Sequence, residues 1–242
     1  MLFIFAIRMQ LPIAIGKNSN NTIEAFDLCT LPHLFVSYSH AAQLPHFLQA
    51  CINNLNEAHA RGVTVSVALA LSPSHSSLSQ TIECPIALQL HVSDSEQQEN
   101  MGKDAFIDYL FDYMKQQLKK LKAGQKKPLL QLPLPYLVVI VDELFNLVVT
   151  RKKNTSIHFL QLLALGQSVN IHFIAASSST YRNLLMQLIH LHPSVEKHLI
   201  KAKLKGTTQI VKPLGAELVL NADNLVFFRT TQMPGYERWY PL

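Results

Sequence analysis

The sequence predicts an α/β domain built on a mostly parallel, doubly wound sheet with helices on both faces. Continuous apolar runs bounded by turn residues recur along the chain, as they do in parallel strands that are covered on both faces. Segments with helical spacing lie between these runs, which is the pattern of strand–helix–strand crossovers. The 242 residues, 48% of them apolar and 15% charged, suffice for one large core and argue against disorder.

The strands are predicted from the apolar runs, in order along the chain. The first is an N-terminal run at residues 2–7, and four more are expected at residues 31–36, 63–71, 136–141 and 170–176. Arg8, Gln10 and Pro12 interrupt the N-terminal stretch, so no run approaches the roughly 20 residues that a membrane helix needs. We therefore expect no membrane span, although a segment lying along a membrane surface stays open as an alternative.

Two helices are predicted from the spacing of large apolar side chains. From Phe106 to Leu121 such side chains recur three or four residues apart, and the lysines fall elsewhere. Residues 155–165 form a second segment of this kind. Residues 72–80 and 123–135 are expected to be loops, and neither resembles a domain boundary. The sequence thus predicts a single domain over residues 1–242, with lead-in strands in residues 1–30 and the core in residues 31–242.

Cysteine and histidine do not follow the patterns of disulfide or metal sites. Cys29, Cys51 and Cys84 are odd in number and widely spaced, which fits a reducing cytoplasm. The densest histidine group is the HLH of residues 190–192, together with His198. Residues two apart do not share a helix face, and no acidic residue lies at ligand spacing. No metal site is therefore expected.

The net charge of +5 comes from 21 basic against 16 acidic residues, and much of it lies in residues 115–127 and 197–205. A basic surface suits the phosphate backbone of double-stranded DNA. A solvated helix face followed by a polar linker explains either segment equally well. The candidate DNA-binding residues are Lys119, Lys120, Lys122, Lys201, Lys203 and Lys205.

Two carboxylates stand where the strand YLVVIV ends. Asp142 and Glu143 follow it directly, which places both at the carboxyl edge of a central strand. This is the Walker B arrangement, in which the first acid holds magnesium and the second polarises the water that attacks the γ-phosphate. An acidic pair at a strand end is also common as a helix cap or a solvated turn. The pair alone therefore does not distinguish a Walker B site from a structural role.

The text around this pair resembles the FtsK/SpoIIIE family of DNA translocases. LPYLVVIVDELFNLV, a helix and then NIHFIAAS match the family's strand ending in DEF, its helix, and its GIHL strand ending in ATQRP. Further similar segments are LPIAIGK, DLCTLPHLFV, PIALQLHVSD and LGAELVLNADNLVFF, so the resemblance runs from Leu11 to Phe228. It implies a RecA-like ATPase domain that uses ATP and magnesium, forms rings with FtsK-like subunits and acts on double-stranded DNA.

The phosphate loop of that family is missing. In place of GTTGSGKS, the Walker A loop, this chain has Tyr38, Ser39, His40, Ala41, Ala42, Gln43, Leu44 and Pro45. Leu44 matches the lysine, and Pro45 matches the hydroxyl that holds magnesium. Such a loop needs glycine for its left-handed positions and lysine for the phosphates, and proline removes a backbone donor. The loop is therefore degenerate as a nucleotide site.

Other family positions have changed as well. The family's IDPK is replaced by residues 71–74, and its sensor glutamine matches Ser178. Asp142 and Glu143 are then catalytic positions without a phosphate opposite them. We expect a non-hydrolysing subunit or a DNA-associated structural domain, with no cofactor. The alternatives are an ATP-binding translocase motor active in DNA segregation or transfer, and a product without a role.

Overall fold

The computed structural model describes most of the chain between residues 11 and 178, and short strands after it. The described residues are 11–17, 23–29, 33–38, 44–91, 96–124, 134–148, 153–178, 199–205, 217–221, 225–227 and 237–238. The strand predicted at residues 2–7 and the histidines around residue 190 lie outside them.

Two lead-in strands form a separate antiparallel pair, β1 (Pro12–Lys17) with β2 (Ile23–Asp27). Leu11 and Ile13 are fully buried in the core that contains the first helix, which anchors the pair to the domain. One oxygen of Asp27 accepts the backbone N–H groups of Leu11 and Cys29, at 3.1 and 3.0 Å. This carboxylate therefore fixes the path of the chain at the end of β2.

Within the described residues, nine strands form the main sheet. In spatial order they are β11 (Glu237–Arg238), β10 (Leu225–Phe227), β9 (Glu217–Asn221), β8 (Leu199–Lys205), β3 (His33–Tyr38), β7 (Ile171–Ser178), β6 (Tyr136–Val141), β4 (Val65–Leu71) and β5 (Ile86–His91). All neighbours from β9 to β5 pair in parallel, and β10 and β11 add antiparallel strands at one end.

Helices cover both faces of this sheet. They are α1 (Leu44–Ala60), α2 (Glu96–Gly124), α3 (Leu144–Val148) and α4 (Lys153–Leu165). Alternate residues of β6 point to opposite faces, so Val138 and Ile140 join one core with α1, whereas Val139 and Val141 join a second core with the other three helices. Both sides of the strand are buried, which explains its unbroken apolar sequence. The predicted doubly wound α/β fold is confirmed.

The end of α1 is set by a glycine. Gly62 has φ +87°, a left-handed conformation, and its N–H donates to the carbonyl of His59 at 2.8 Å. The N–H of Val63 reaches back to Ala58 at 3.1 Å, which completes a glycine-dependent helix end. A residue with a side chain would be strained at this position.

The four described strand predictions correspond to β3, β4, β6 and β7, and the two helix predictions fall within α2 and α4. Two interpretations were wrong. The expected loop at residues 72–80 contains a 3₁₀ helix, Pro73–Thr81, which begins at the proline that fixes its first turn. The second basic segment is not a helix face, because Leu199–Lys205 is strand β8, between β3 and β9. None of the helices in the described ranges has the length and hydrophobicity to cross a bilayer.

Candidate functional site

The carboxyl ends of four neighbouring strands meet at the candidate site. These strands are β3, β7, β6 and β4, in that order across the centre of the sheet. Parallel strands end at the same edge, where α/β domains place their ligand crevices. Asp142 and Glu143 follow β6 directly and lie between the ends of the other three strands.

Asp142 is tied to the end of β4. It is only 5% exposed, and its Oδ2 accepts the backbone N–H of Ser72 at 2.7 Å and also the Ser72 hydroxyl. Nδ1 of His75 lies 2.7 Å from the same oxygen, and because a carboxylate only accepts, Nδ1 carries the proton. The hydroxyl of Ser74 lies 2.9 Å from that of Ser72 and extends the chain of hydrogen bonds. Three donors therefore converge on one oxygen.

Glu143 is tied to the ends of β7 and β3. Its Oε1 accepts the hydroxyl of Ser177 at 2.6 Å and the backbone N–H of Phe145 at 3.2 Å. Its Oε2 accepts the hydroxyl of Tyr38 at 2.9 Å and the backbone N–H of Ser178 at 3.0 Å. Both oxygens of this half-buried carboxylate are therefore engaged by groups of the protein.

The phosphate-loop positions are described only at their two ends. Tyr38 is the last residue of β3, and Leu44 is the first residue of α1. Leu44 is fully buried in the core between α1 and the sheet, and Pro45 is half-buried beside it. The five positions between them, Ser39, His40, Ala41, Ala42 and Gln43, lie outside the described residues. The position that matches the family's lysine is thus part of the apolar core.

Sequence reasoning named Asp142, Glu143, Tyr38 and Ser178 but missed the donors around them. Ser177, Ser72 and His75 gave no signal, because nothing in their spacing shows that they meet a carboxylate. The sequence marks Ser72 only as a replaced position of IDPK, and Ser178 only as a replaced sensor. In the structure both donate hydrogen bonds to the acids after β6. The resemblance located the edge of the sheet, and the side-chain contacts there required the structure.

A small cleft of about 60 Å³ opens beside Asp142. Ala70, Leu90, Val141 and Leu147 supply its apolar lining, and Ser72, Lys103, Asp142, Glu143 and Asn146 its polar groups. Lys103 comes from α2 and is only 8% exposed, so it brings a basic group to the acidic strand end. A cleft of this size has room for a few water molecules.

The candidate DNA-binding lysines lie on two separate elements. Lys119, Lys120 and Lys122 are exposed on the last turns of α2. Lys201, Lys203 and Lys205 occupy alternate positions of β8, which β3, β7 and β6 separate from β4 in the sheet.

No described residues offer a magnesium or zinc site of several strong ligands. Groups of three or more histidine, cysteine or acidic side chains at metal-binding distance are absent from the described ranges. His172, on β7, is buried in the sheet. The printed donors on Asp142 all converge on Oδ2 and come from Ser72 and His75.

Sequence comparison finds relatives over almost the whole chain, although no family model matches it. A DNA translocase FtsK of Treponema pallidum is 22% identical over 93% of this chain, and one of Streptococcus pneumoniae is 25% identical over 90%. The chain spans only 29% and 30% of the length of these relatives. The resemblance to FtsK translocases drawn from the motifs is confirmed.

Solved structures show the same fold. ATPases 2 and 3 of EccC from Thermomonospora curvata, in complex with a signal sequence peptide, superpose with a TM-score of 0.61 and 14% identity. The match covers 98% of this chain and 41% of that one. The cytoplasmic domain of EssC gives a TM-score of 0.58 and 12% identity over 97% of this chain and 43% of that one. The RecA-like α/β fold predicted from the sequence is confirmed.

Proposed function

We propose that this chain, a relative of the FtsK DNA translocases in sequence, is a non-hydrolysing RecA-like domain whose contribution is structural. It would join active FtsK-like subunits in a ring in the cytoplasm, or pack on double-stranded DNA, without turning over ATP. Neither ATP nor magnesium would be a cofactor of this chain.

One observation carries the proposal: both acids of the Walker B position are hydrogen-bonded to the protein itself. Asp142 would have to face magnesium, and Glu143 a water molecule, for hydrolysis to occur. Instead, Asp142 accepts Ser72 and His75, and Glu143 accepts groups at the ends of β7 and β3. An oxygen that already accepts two or three hydrogen bonds has little capacity left for a metal ion or a reacting water.

The degenerate loop supports the same proposal. The lysine of a phosphate loop supplies charge to the β- and γ-phosphates, and the glycines let several N–H groups turn inward. Leu44 has no charge and lies in the core, and Pro45 has no N–H to offer. Charge, donors and metal ligand are lost together.

The test is calorimetric titration of the full chain with ATP and magnesium, alongside an ATPase assay. An intact motor domain of an FtsK relative serves as the positive control. We expect no saturable heat at micromolar nucleotide and no hydrolysis above background. Micromolar affinity would overturn the proposal in favour of the alternative, an ATP-binding translocase motor.

A DNA-packing role is supported by a separate observation, the exposed lysines on α2. Lys119, Lys120 and Lys122 lie within one turn of each other on a face that the core does not use. Exposed lysines on one helix can neutralise several phosphates without reading base sequence. Such a contact would be electrostatic and independent of nucleotide.

A further inference from the structure

Two adjacent acids tie together the ends of the four central strands. Glu143 joins β6 to β7 through Ser177 and to β3 through Tyr38. Asp142 joins β6 to the segment after β4 through Ser72 and His75. We call this set of side chains, Tyr38, Ser72, His75, Asp142, Glu143 and Ser177, the edge clamp.

We propose that the edge clamp takes the place of nucleotide and magnesium, so that the carboxyl ends of the four central strands are held together without any ligand. The inference rests on the proposed non-hydrolysing function and adds which residues fix the conformation. His75 and Ser72 donate to Oδ2 of Asp142, where a cation would have to displace them. Tyr38 and Ser177 occupy the oxygens of Glu143 that a water would need.

The geometry makes the clamp a strong constraint. The heavy-atom distances of Tyr38, His75 and Ser177 to their carboxylates are 2.9, 2.7 and 2.6 Å, which are good lengths for bonds to a charged acceptor. Hydrogen bonds to charged acceptors in partly buried sites are stronger than bonds between neutral groups. The donors come from three segments far apart in the chain, so the clamp restrains tertiary structure and not a local turn.

The sequence changes that remove the nucleotide site also supply the clamp. Tyr38 is the first of the eight residues that replace the phosphate loop, and Ser72 stands in the segment that replaces IDPK. Ser178, at the lost sensor position, adds its backbone N–H to Glu143 at 3.0 Å. Two side-chain donors of the clamp, the hydroxyls of Tyr38 and Ser72, therefore stand at positions where the family has ligand-binding segments.

If the clamp holds the strand ends together, removing one of its side-chain donors in the full chain should lower the stability of the fold. Tyr38→Phe removes one hydroxyl, and His75→Ala removes one donor, so each should raise the unfolding equilibrium constant about tenfold to a hundredfold. His75→Asn keeps a side-chain N–H and should recover part of the loss. Tyr109→Phe and His46→Ala, at exposed positions outside the clamp, are the matched controls and should change little.

Local hydrogen exchange separates a clamp from general stabilisation. The backbone N–H groups of Ser72 and Ser178 donate to Asp142 and Glu143, so they should be protected in the native chain. His75→Ala should speed exchange at Ser72, and Tyr38→Phe should speed it at Ser178. Val139, in the middle of β6, is fully buried, so its exchange should follow the global unfolding equilibrium constant in both variants. Equal acceleration at Ser72 and Ser178 in both variants would overturn the proposal.

Magnesium alone provides the second measurement. A ligand that binds only the folded state raises the melting temperature. The melting temperature of the native chain should be the same in excess magnesium chloride and in chelator, and a rise in magnesium would overturn the clamp. Saturable ATP binding would overturn both the clamp and the proposed function. Clamp variants as stable as the native chain would overturn only the clamp.

Discussion

The hydroxyl of Tyr38 lies 2.9 Å from Oε2 of Glu143, although 105 residues separate the two in the chain. Tyr38 closes β3, where a phosphate loop would begin, and Glu143 follows β6, where hydrolytic water would be held. In open α/β sheets the ligand crevice lies at the carboxyl ends of the strands. At that edge of this sheet, Tyr38 and Glu143 join the ends of β3 and β6 directly, across the intervening strand β7.

Asp142→Asn should lower the stability of the fold while leaving any residual ATPase activity at background. The carboxylate accepts three donors at Oδ2, and an amide carries a donor of its own into the same buried space. We expect a loss of about 1–3 kcal/mol in the free energy of unfolding. Urea denaturation should show a lower midpoint with an unchanged slope.

The control for this variant is Asp112→Asn. Asp112 is 62% exposed and pairs with Lys115 three residues along α2. Exposed pairs of this kind contribute little, so the free energy of unfolding should change by less than about 0.5 kcal/mol. A large loss of ATPase activity in Asp142→Asn would show that the acids after β6 still catalyse.

Leu44→Lys should damage the fold and should not restore a nucleotide site. Leu44 is fully buried in the core beneath α1, so a lysine there would bury a charge among apolar side chains. We expect a loss of about 3–5 kcal/mol in the free energy of unfolding. Leu44→Met, which conserves volume, should cost less than about 1.5 kcal/mol. Denaturant titration of both variants checks the difference, and ATP binding gained by Leu44→Lys would contradict it.

Strands β3, β4, β6 and β7 could be predicted from the sequence because a strand that is buried on both faces consists of an unbroken run of apolar residues. Strand β8 was missed, although its signal was present: Ile200, Ala202 and Leu204 alternate with lysines, which is the period of a strand. The three lysines instead favoured a basic surface or a solvated helix face at residues 197–205. The residues around the acids could not be predicted, because Ser177 and His75 find Glu143 and Asp142 only through the pairing of the sheet.

Cys29 should react slowly with alkylating reagents. Burial of the thiol, with smaller contributions from the charge and hydrogen bond of Asp27, raises its pKa from 9.0 to about 11, although a hydrogen bond with Tyr136 acts in the opposite direction. At about pH 8 the thiolate fraction is then ~100-fold lower than for an ordinary cysteine. Mass spectrometry of the Cys29 peptide after iodoacetamide treatment measures this, with the denatured chain as control. Equal rates in folded and denatured protein would contradict the expectation.

The same thiol links stability to alkaline pH. Its pKa is higher in the folded chain than in the unfolded one, so its contribution to stability is fully present below pH 9.0 and is lost as the pH rises toward about 11. Cys29→Ser should therefore flatten the fall in unfolding free energy over that range. Denaturation midpoints measured at several alkaline pH values test this prediction. A steeper fall of the unfolding free energy in the variant would contradict it.

Any contact with DNA should be electrostatic and indifferent to base sequence. Lys119, Lys120 and Lys122 are exposed on α2, and each could neutralise one phosphate and release its counterions. Affinity for a random duplex should then fall roughly tenfold or more between low and physiological salt, and replacing all three by Gln should flatten the logarithmic salt slope by about three. Fluorescence anisotropy at several salt concentrations gives both quantities.

Lys115→Gln is the matched control, since Lys115 lies on the same helix but is already engaged by the protein. Its Nζ lies 2.6 Å from Asp112 and 4.7 Å above the ring of Phe111. A lysine paired in this way has less to gain from a phosphate, so the slope should change by clearly less than one unit. Absence of binding at low salt would remove the DNA-packing role. Binding that ignores salt would remove the counterion mechanism, and an equal effect of Lys115→Gln would show that the contact is not confined to the last turns of α2.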